Sequence, residues 1–143
     1  MIPVLDDTAA ELRLPPTVGQ IATARAFVGS IAATTPGLDE SRIDDVRLAT
    51  SEAVANAVTA QRRNGRTDRI VVRCSADGLL LVVEVIDNGG GMTARGGGPI
   101  DVGDLTEGSL GIPLIRALTD QVVFDDAPGG TVVRMAFRLR SVA

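Results

Sequence analysis

Residues 79–91 read LLLVVEVIDNGGG, an apolar run that stops at Asp87 and passes directly into glycines. Because apolar residues occupy both alternating faces of this run, it predicts a strand in the middle of its sheet. A carboxylate at the end of such a strand can accept a hydrogen bond from a ligand N–H group. Gly89 and Gly91 follow at the spacing D-x-G-x-G, and glycines let the backbone approach a ligand closely. An ordinary turn after a strand would give the same short pattern.

The segment after this turn is long and rich in glycine, with a glycine triplet at 96–98. It is longer than an ordinary connection and too polar to pack as a core, so we expect residues 92–110 to form a lid. The lid ends at Ser109 and Leu110, and Gly111 follows where the sequence LGIPLIRALTD predicts a short helix. Free N–H groups at the start of a helix suit phosphate oxygens.

Helices and strands surround this centre in an order typical of an α+β fold. The sequence AELRLP predicts a first strand, and Thr17 and Asp39 are candidate caps for two helices, the second running from about Ser41 to Arg63. Four further strands are predicted, two joined by the hairpin signal ADG and two by APGG: 69–75, 79–86, 121–126 and 131–140. The order predicts two layers, with helices on one face of a mixed, mostly antiparallel sheet.

Glu52 and Asn56 lie four residues apart on the longer helix, so their side chains stand one above the other. At about 100° per residue they point away from the apolar stripe of the same helix, which is formed by Ile43, Val46, Ala53 and Ala57. A polar pair facing water needs no function. Small residues flank this pair instead of charges, however, and leave room for a ligand or another layer: Ala49, Ala55 and Ala60.

Thr131 opens the last predicted strand on the face that also carries Val133, Met135 and Phe137. A hydroxyl group at a core-facing position needs a hydrogen-bond partner. A threonine bonded to nearby backbone at a strand end is the plain alternative to a ligand contact.

The composition excludes several classes of chemistry. The chain has no histidine, which rules out Ser-His-Asp and Cys-His catalysis and removes the commonest zinc ligand. Cys74 is the only cysteine, in a strand-like run, and is expected to be buried and structural. The net charge is -4 with only three aromatic residues, so direct nucleic-acid binding is not expected. The N-terminal sequence lacks a basic start and a long apolar region, so we expect a cytoplasmic protein without membrane contact.

Four motifs occur here in a fixed order: E-x-x-x-N on a helix, D-x-G-x-G after a buried strand, a glycine-rich lid, and G-T opening a final strand. The set resembles the GHKL, or Bergerat-fold, ATPases, and among them the small anti-sigma factor serine kinases of bacteria. LATSEAVANAV is similar to their N-box, VIDNGGGM and GIPLIRALTDQV to their two glycine boxes, and GGTVVRMAF to their closing strand. The likeness covers about residues 8–140, which implies one ATP-binding domain of the Bergerat type after a loose start at 1–7.

The resemblance implies a role for each matching residue. Asp87 would bind the adenine amino group of ATP, supported by Gly91 and Thr131. Asn56 would hold the Mg²⁺ ion that bridges the phosphates. Glu52 would be the base that orients or deprotonates the attacking hydroxyl group. The lid would close over the phosphates and exclude water.

The resemblance also implies a function and partners. The chain would be an anti-sigma factor with serine/threonine-protein kinase activity toward an anti-sigma antagonist, controlling a sigma factor by partner switching. Members of the family often form homodimers. The alternative is a non-catalytic module of the same fold that binds proteins in response to nucleotide. The chain departs from the family pattern at Thr59 and Ala60, where a basic residue is common, and at Glu107 and Ser109.

Overall fold

The computed structural model describes residues 2–90 and 111–141. The lid, together with Gly91, Ser109 and Leu110, lies outside the described residues. The described elements are a 3₁₀ turn at Val18–Gln20, three helices and five strands: β1 Ala10–Leu14, α1 Ile21–Ala33, α2 Glu40–Arg63, β2 Ile70–Ala76, β3 Leu80–Asp87, α3 Gly111–Leu118, β4 Gln121–Ala127 and β5 Gly130–Arg138.

The strands form one sheet in the order β1-β2-β3-β5-β4, and every pairing in it is antiparallel. The apolar run that ends at Asp87 is the central strand β3, as its sequence predicted. It lies between β2 and β5, and its last residue pairs with Thr131 at the start of β5. The α+β fold class predicted from the sequence is therefore confirmed, and the sheet of the described residues is wholly antiparallel rather than mixed.

One face of the sheet carries the main core. Alternate residues of the three central strands point to this face and are buried against helices α1, α2 and α3: Ile70, Val72, Cys74, Leu81, Val83, Val85, Val133, Met135 and Phe137. The predicted stripe of α2 supplies much of the opposing layer, because Val46, Ala53 and Ala57 are also buried. This burial is the dominant stabilising term and fixes α2 above the central strands.

The two predicted helix caps behave differently. The Asp39 side chain accepts a hydrogen bond from the Arg42 backbone N–H at 2.9 Å and begins α2. Thr17 makes no capping hydrogen bond with its side chain and precedes the 3₁₀ turn, so α1 begins only at Ile21.

The other face of the sheet contains a buried carboxylate. Glu84 on β3 is 2% exposed and lies between two arginines of the neighbouring strands. Its Oε1 is 3.2 Å from Arg73 Nη1, and its Oε2 is 2.9 Å from Arg134 Nε. A buried charge is tolerated when it is paired and hydrogen-bonded in this way.

The N-terminal segment crosses this second face. It has no helix or strand at residues 2–6, yet Ile2 is buried against Val82 and Ala136. The Leu5 N–H donates to Glu84 Oε2 at 3.2 Å, and Arg73 donates to the Leu5 and Asp6 carbonyls. The segment expected to be loose thus has specific partners on the sheet.

Cys74 is buried in the core, as expected from the sequence. Burial raises the pKa of its thiol to about 12, so it is not a nucleophile at neutral pH.

Among residues 2–90 and 111–141, no helix has the length and apolar character needed to cross a membrane.

Candidate functional site

Asp87 and Thr131 meet where β3 ends and β5 begins. They are direct partners in the antiparallel register and are 1% and 0% exposed. Asp87 Oδ1 accepts a hydrogen bond from the Gly89 N–H at 2.8 Å, which orients the carboxylate. The hydroxyl oxygen of Thr131 is buried and has no hydrogen-bond partner within the described part of the chain. Since buried polar groups are rarely left unpaired, this hydroxyl suits a bound ligand or a water molecule beside one.

The turn after β3 lies directly against helix α2. A β-carbon built on Gly89 would be 2.6 Å from the Ala60 β-carbon and 2.9 Å from its carbonyl carbon. A β-carbon built on Gly130 would be 1.6 Å from the Asp87 carbonyl oxygen. Both glycines are therefore required because backbones approach each other too closely for any side chain.

Glu52 and Asn56 face the beginning of the described part of α3. A β-carbon built on Gly111 would be 3.0 Å from Glu52 Oε2, and 3.1 and 3.2 Å from Asn56 Nδ2 and Oδ1. Only a glycine leaves these side chains undisturbed. The structure thus brings the E-x-x-x-N motif close to the start of the second glycine box, although they are 55 residues apart when counted from Asn56 to Gly111.

Helix α2 joins these two groups of residues. Ala60, which contacts Gly89, lies four residues after Asn56, so the two positions are about 6 Å apart along the helix axis. One group contains Asp87, Gly89 and Thr131, and the other contains Glu52, Asn56 and Gly111. An elongated ligand would fit this arrangement if it has a hydrogen-bonding ring at one end and, at the other, an anionic group joined to these side chains by a cation.

Two residues that support the site were not predicted. Gln61 is fully buried on α2, and its Oε1 accepts from the Asn88 N–H at 3.0 Å. Asn64 Nδ2 donates to the Gly89 carbonyl oxygen at 2.8 Å. The sequence contained a signal for the first of these, because Gln61 continues the i, i+4 series of buried positions at Ala53 and Ala57. A polar residue on the buried stripe of a helix indicates a specific internal partner.

The donor atoms near Gly111 fit a hard cation. Asn56 supplies an amide oxygen, which is among the oxygen ligands that Mg²⁺ takes, usually with water and substrate phosphates completing its shell. The nearby Glu52 carboxylate adds negative charge that favours a cation. Among the described residues, no three or more His, Cys, Asp or Glu side chains are grouped so that they could hold a metal ion.

Comparisons with known proteins concern the fold that carries this site. The family model for the histidine kinase-like ATPase domain matches residues 14–137. No curated protein matches the sequence significantly. The chain is similar to the crystal structure of the RsbU and RsbW domains of Rv1364c from Mycobacterium tuberculosis, with a TM-score of 0.67 and 26% identity. That match covers 92% of this chain and 32% of the other, so this chain spans about a third of its length.

The family match begins at the last residue of β1 and ends one residue before the end of β5, so it includes every element that positions the candidate site. The chain belongs to the histidine kinase-like ATPase domain family.

Proposed function

We propose that the chain binds ATP with Mg²⁺ and acts as an anti-sigma factor with serine/threonine-protein kinase activity toward an anti-sigma antagonist. The observation that carries the proposal is the contact of Gly111 with Glu52 and Asn56, one helical turn from the Asp87 group. The family supplies ATP as the nucleotide. The two ends of the site then correspond to the two ends of that molecule.

The adenine end rests on Asp87. A carboxylate accepts hydrogen bonds and donates none, so it selects the exocyclic amino group of adenine over the carbonyl oxygen of guanine. Its position at the end of a central strand keeps it fixed, and its burial strengthens a charge-assisted hydrogen bond. The Thr131 hydroxyl group supplies a second contact to the base, direct or through water.

The phosphate end rests on Glu52, Asn56 and Gly111. Asn56 would ligate the ion, and a bound Mg²⁺ neutralises phosphate charge during transfer. Glu52 lies one turn before Asn56, where its carboxylate can accept the proton of an attacking serine hydroxyl. Gly111 lets the backbone lie against both side chains, so a phosphate bound there would also be within reach of the base.

The proposed partners have separate support. The solved structure described above contains an RsbW domain, and its similarity to this chain favours partner switching between a sigma factor and an antagonist. Homodimerisation is proposed from the family resemblance alone.

A non-catalytic, nucleotide-responsive module is the second candidate, and one observation favours it. Ala60 occupies a position where the family often has a basic residue, and its β-carbon lies beneath Gly89. No cation from this position can therefore assist phosphoryl transfer.

Two measurements test the proposal in sequence. Isothermal titration with ATP and ADP, with and without Mg²⁺, should show binding that depends on the metal more strongly for ATP. Labelled ATP is then mixed with the protein and a candidate antagonist, with an antagonist lacking the acceptor serine as control. Serine-dependent labelling supports the kinase; binding without labelling of any antagonist supports the non-catalytic module. Absence of adenine-nucleotide binding would overturn both.

A further inference from the structure

The last turn of α2 holds the turn after β3 through two amide side chains. Gln61 accepts from the Asn88 N–H at 3.0 Å, and Asn64 donates to the Gly89 carbonyl oxygen at 2.8 Å. Between these two contacts, the Gly89 N–H donates to Asp87 Oδ1 at 2.8 Å. Three backbone groups of Asn88 and Gly89 are therefore bonded to a side chain.

The Gln61 side chain is itself held by two backbone groups. It is fully buried, and its Nε2 donates to the Asp68 carbonyl oxygen at 2.6 Å. One backbone donor and one backbone acceptor fix the orientation of its amide, so it bridges the segment before β2 to the turn after β3. Asn64 is anchored similarly, because its Nδ2 also donates to the Ala60 carbonyl oxygen at 2.9 Å.

The two amide side chains affect Asp87 through the turn that follows it. The Gly89 N–H helps to orient the carboxylate, and the position of that N–H is fixed by the bonds on either side of it. A carboxylate that can turn away, or admit water, distinguishes poorly between an amino group and a carbonyl group on a purine. Base selectivity thus depends on the rigidity of the turn.

We propose that Gln61 and Asn64 are positioning residues that set the preference of the nucleotide site for adenine over guanine by holding the Asp87 carboxylate through the Asn88–Gly89 turn. The inference rests on the proposed ATP-binding function. It differs from the motif pattern, which assigns no role to either residue.

The test compares ATP and GTP binding, by titration, to the full chain and to two variants. Gln61→Met keeps the length of the side chain and removes both of its hydrogen bonds. Asn64→Ala removes the bond to Gly89, together with the local bond to Ala60, at an exposed position. Each variant should weaken ATP binding about three- to tenfold, which is the range for losing one hydrogen bond between Asp87 and the base. GTP binding should stay the same. The ratio of the two affinities should fall by the same factor.

Controls separate positioning from general damage. Gln20→Met makes the same substitution in the 3₁₀ turn before α1 and should leave the ratio unchanged. In an Asp87→Asn background, Gln61→Met should cost little further ATP affinity, since it acts through Asp87. If Gln61→Met does not fold, Asn64→Ala and Asn64→Asp decide the question alone.

The outcomes are distinct. An unchanged ratio in folded variants, an equal loss of ATP and GTP affinity, or additive effects with Asp87→Asn would overturn this inference and leave ATP binding intact. If the unaltered chain binds neither nucleotide, the proposed function fails and the inference fails with it.

Discussion

Thr131 stands directly opposite Asp87 in the pairing of β5 with β3, and its hydroxyl oxygen is buried without a partner among the described residues. An unpaired buried hydroxyl destabilises a fold by roughly 1–3 kcal/mol. The strand register could accommodate valine at this position without that cost. We therefore connect the hydroxyl with ligand binding rather than with folding.

Thr131→Val should leave the free energy of unfolding unchanged or raise it by about 1 kcal/mol, because no hydrogen bond within the described chain is lost. ATP affinity should nevertheless fall several-fold. Chemical denaturation and titration with ATP measure the two effects on the same preparation. A less stable variant with unaltered ATP affinity would show that the hydroxyl serves the fold.

Asp87→Asn should weaken ATP binding by about ten- to a hundredfold, corresponding to the loss of a charge-assisted hydrogen bond of about 1.5–3 kcal/mol. The amide still accepts a hydrogen bond but carries no charge. Glu11→Gln on the exposed part of β1 is a control for the loss of one carboxylate. Unchanged ATP affinity in a folded Asp87→Asn protein would contradict the adenine role.

Glu52→Ala should retain most ATP affinity and lose phosphoryl transfer. A general base acts on the attacking hydroxyl in the transition state, not on bound ATP. Alanine is also the better helix former, so α2 should persist. Titration with ATP and a labelled transfer assay, run on the same variant, separate binding from chemistry. Transfer that continues at the original rate would exclude Glu52 as the base.

Gly111→Ala should weaken ATP binding more than AMP binding. The added methyl group would lie 3.0 Å from Glu52 Oε2 and 3.1 Å from Asn56 Nδ2, so both side chains must move. AMP lacks the β- and γ-phosphates and should be affected less. Gly19→Ala is the matched control, because a β-carbon there meets no atom within 4 Å. An equal loss for ATP and AMP would place Gly111 away from those phosphates.

Stability at alkaline pH should depend on Cys74. Burial raises its thiol pKa from 9.0 to about 12, so between these values the folded chain keeps a proton that the unfolded chain loses. The free energy of unfolding should therefore fall as pH rises from 9.0 toward about 12. The chain contains no lysine or tyrosine, so few other groups titrate in this window. In Cys74→Ala, unfolding curves across this range should lose most of their pH dependence; an unaltered slope would exclude the thiol as its source.

Much of the fold was accessible from the sequence because its signals are local. The apolar run before Asp87 identified the central strand. The alternation of apolar residues after Thr131, from Val133 to Phe137, identified the core-facing side of β5. The capping position of Asp39 and the buried stripe of α2 also follow from spacing within a few residues.

The remaining features depend on contacts between distant segments. Glu84 interrupts an apolar strand, and nothing near it in the sequence shows that Arg73 and Arg134 neutralise it. Gln61 was recognisable as a polar residue on a buried face, but its partners become apparent only when α2 lies beside the turn at Asn88. The position of residues 2–6 across the sheet likewise depends on the packed strands beneath them.

Helix α2 carries Glu52, Asn56, Ala60 and Gln61 within a single continuous run of hydrogen-bonded turns. The spacing between the two ends of the site is consequently set by the rise per residue of one helix. Inserting or deleting one residue between Asn56 and Ala60 would rotate everything beyond it by about 100° and shift it by about 1.5 Å. Substitutions between these positions that keep the helix and its buried face should therefore be tolerated far better than any change in length.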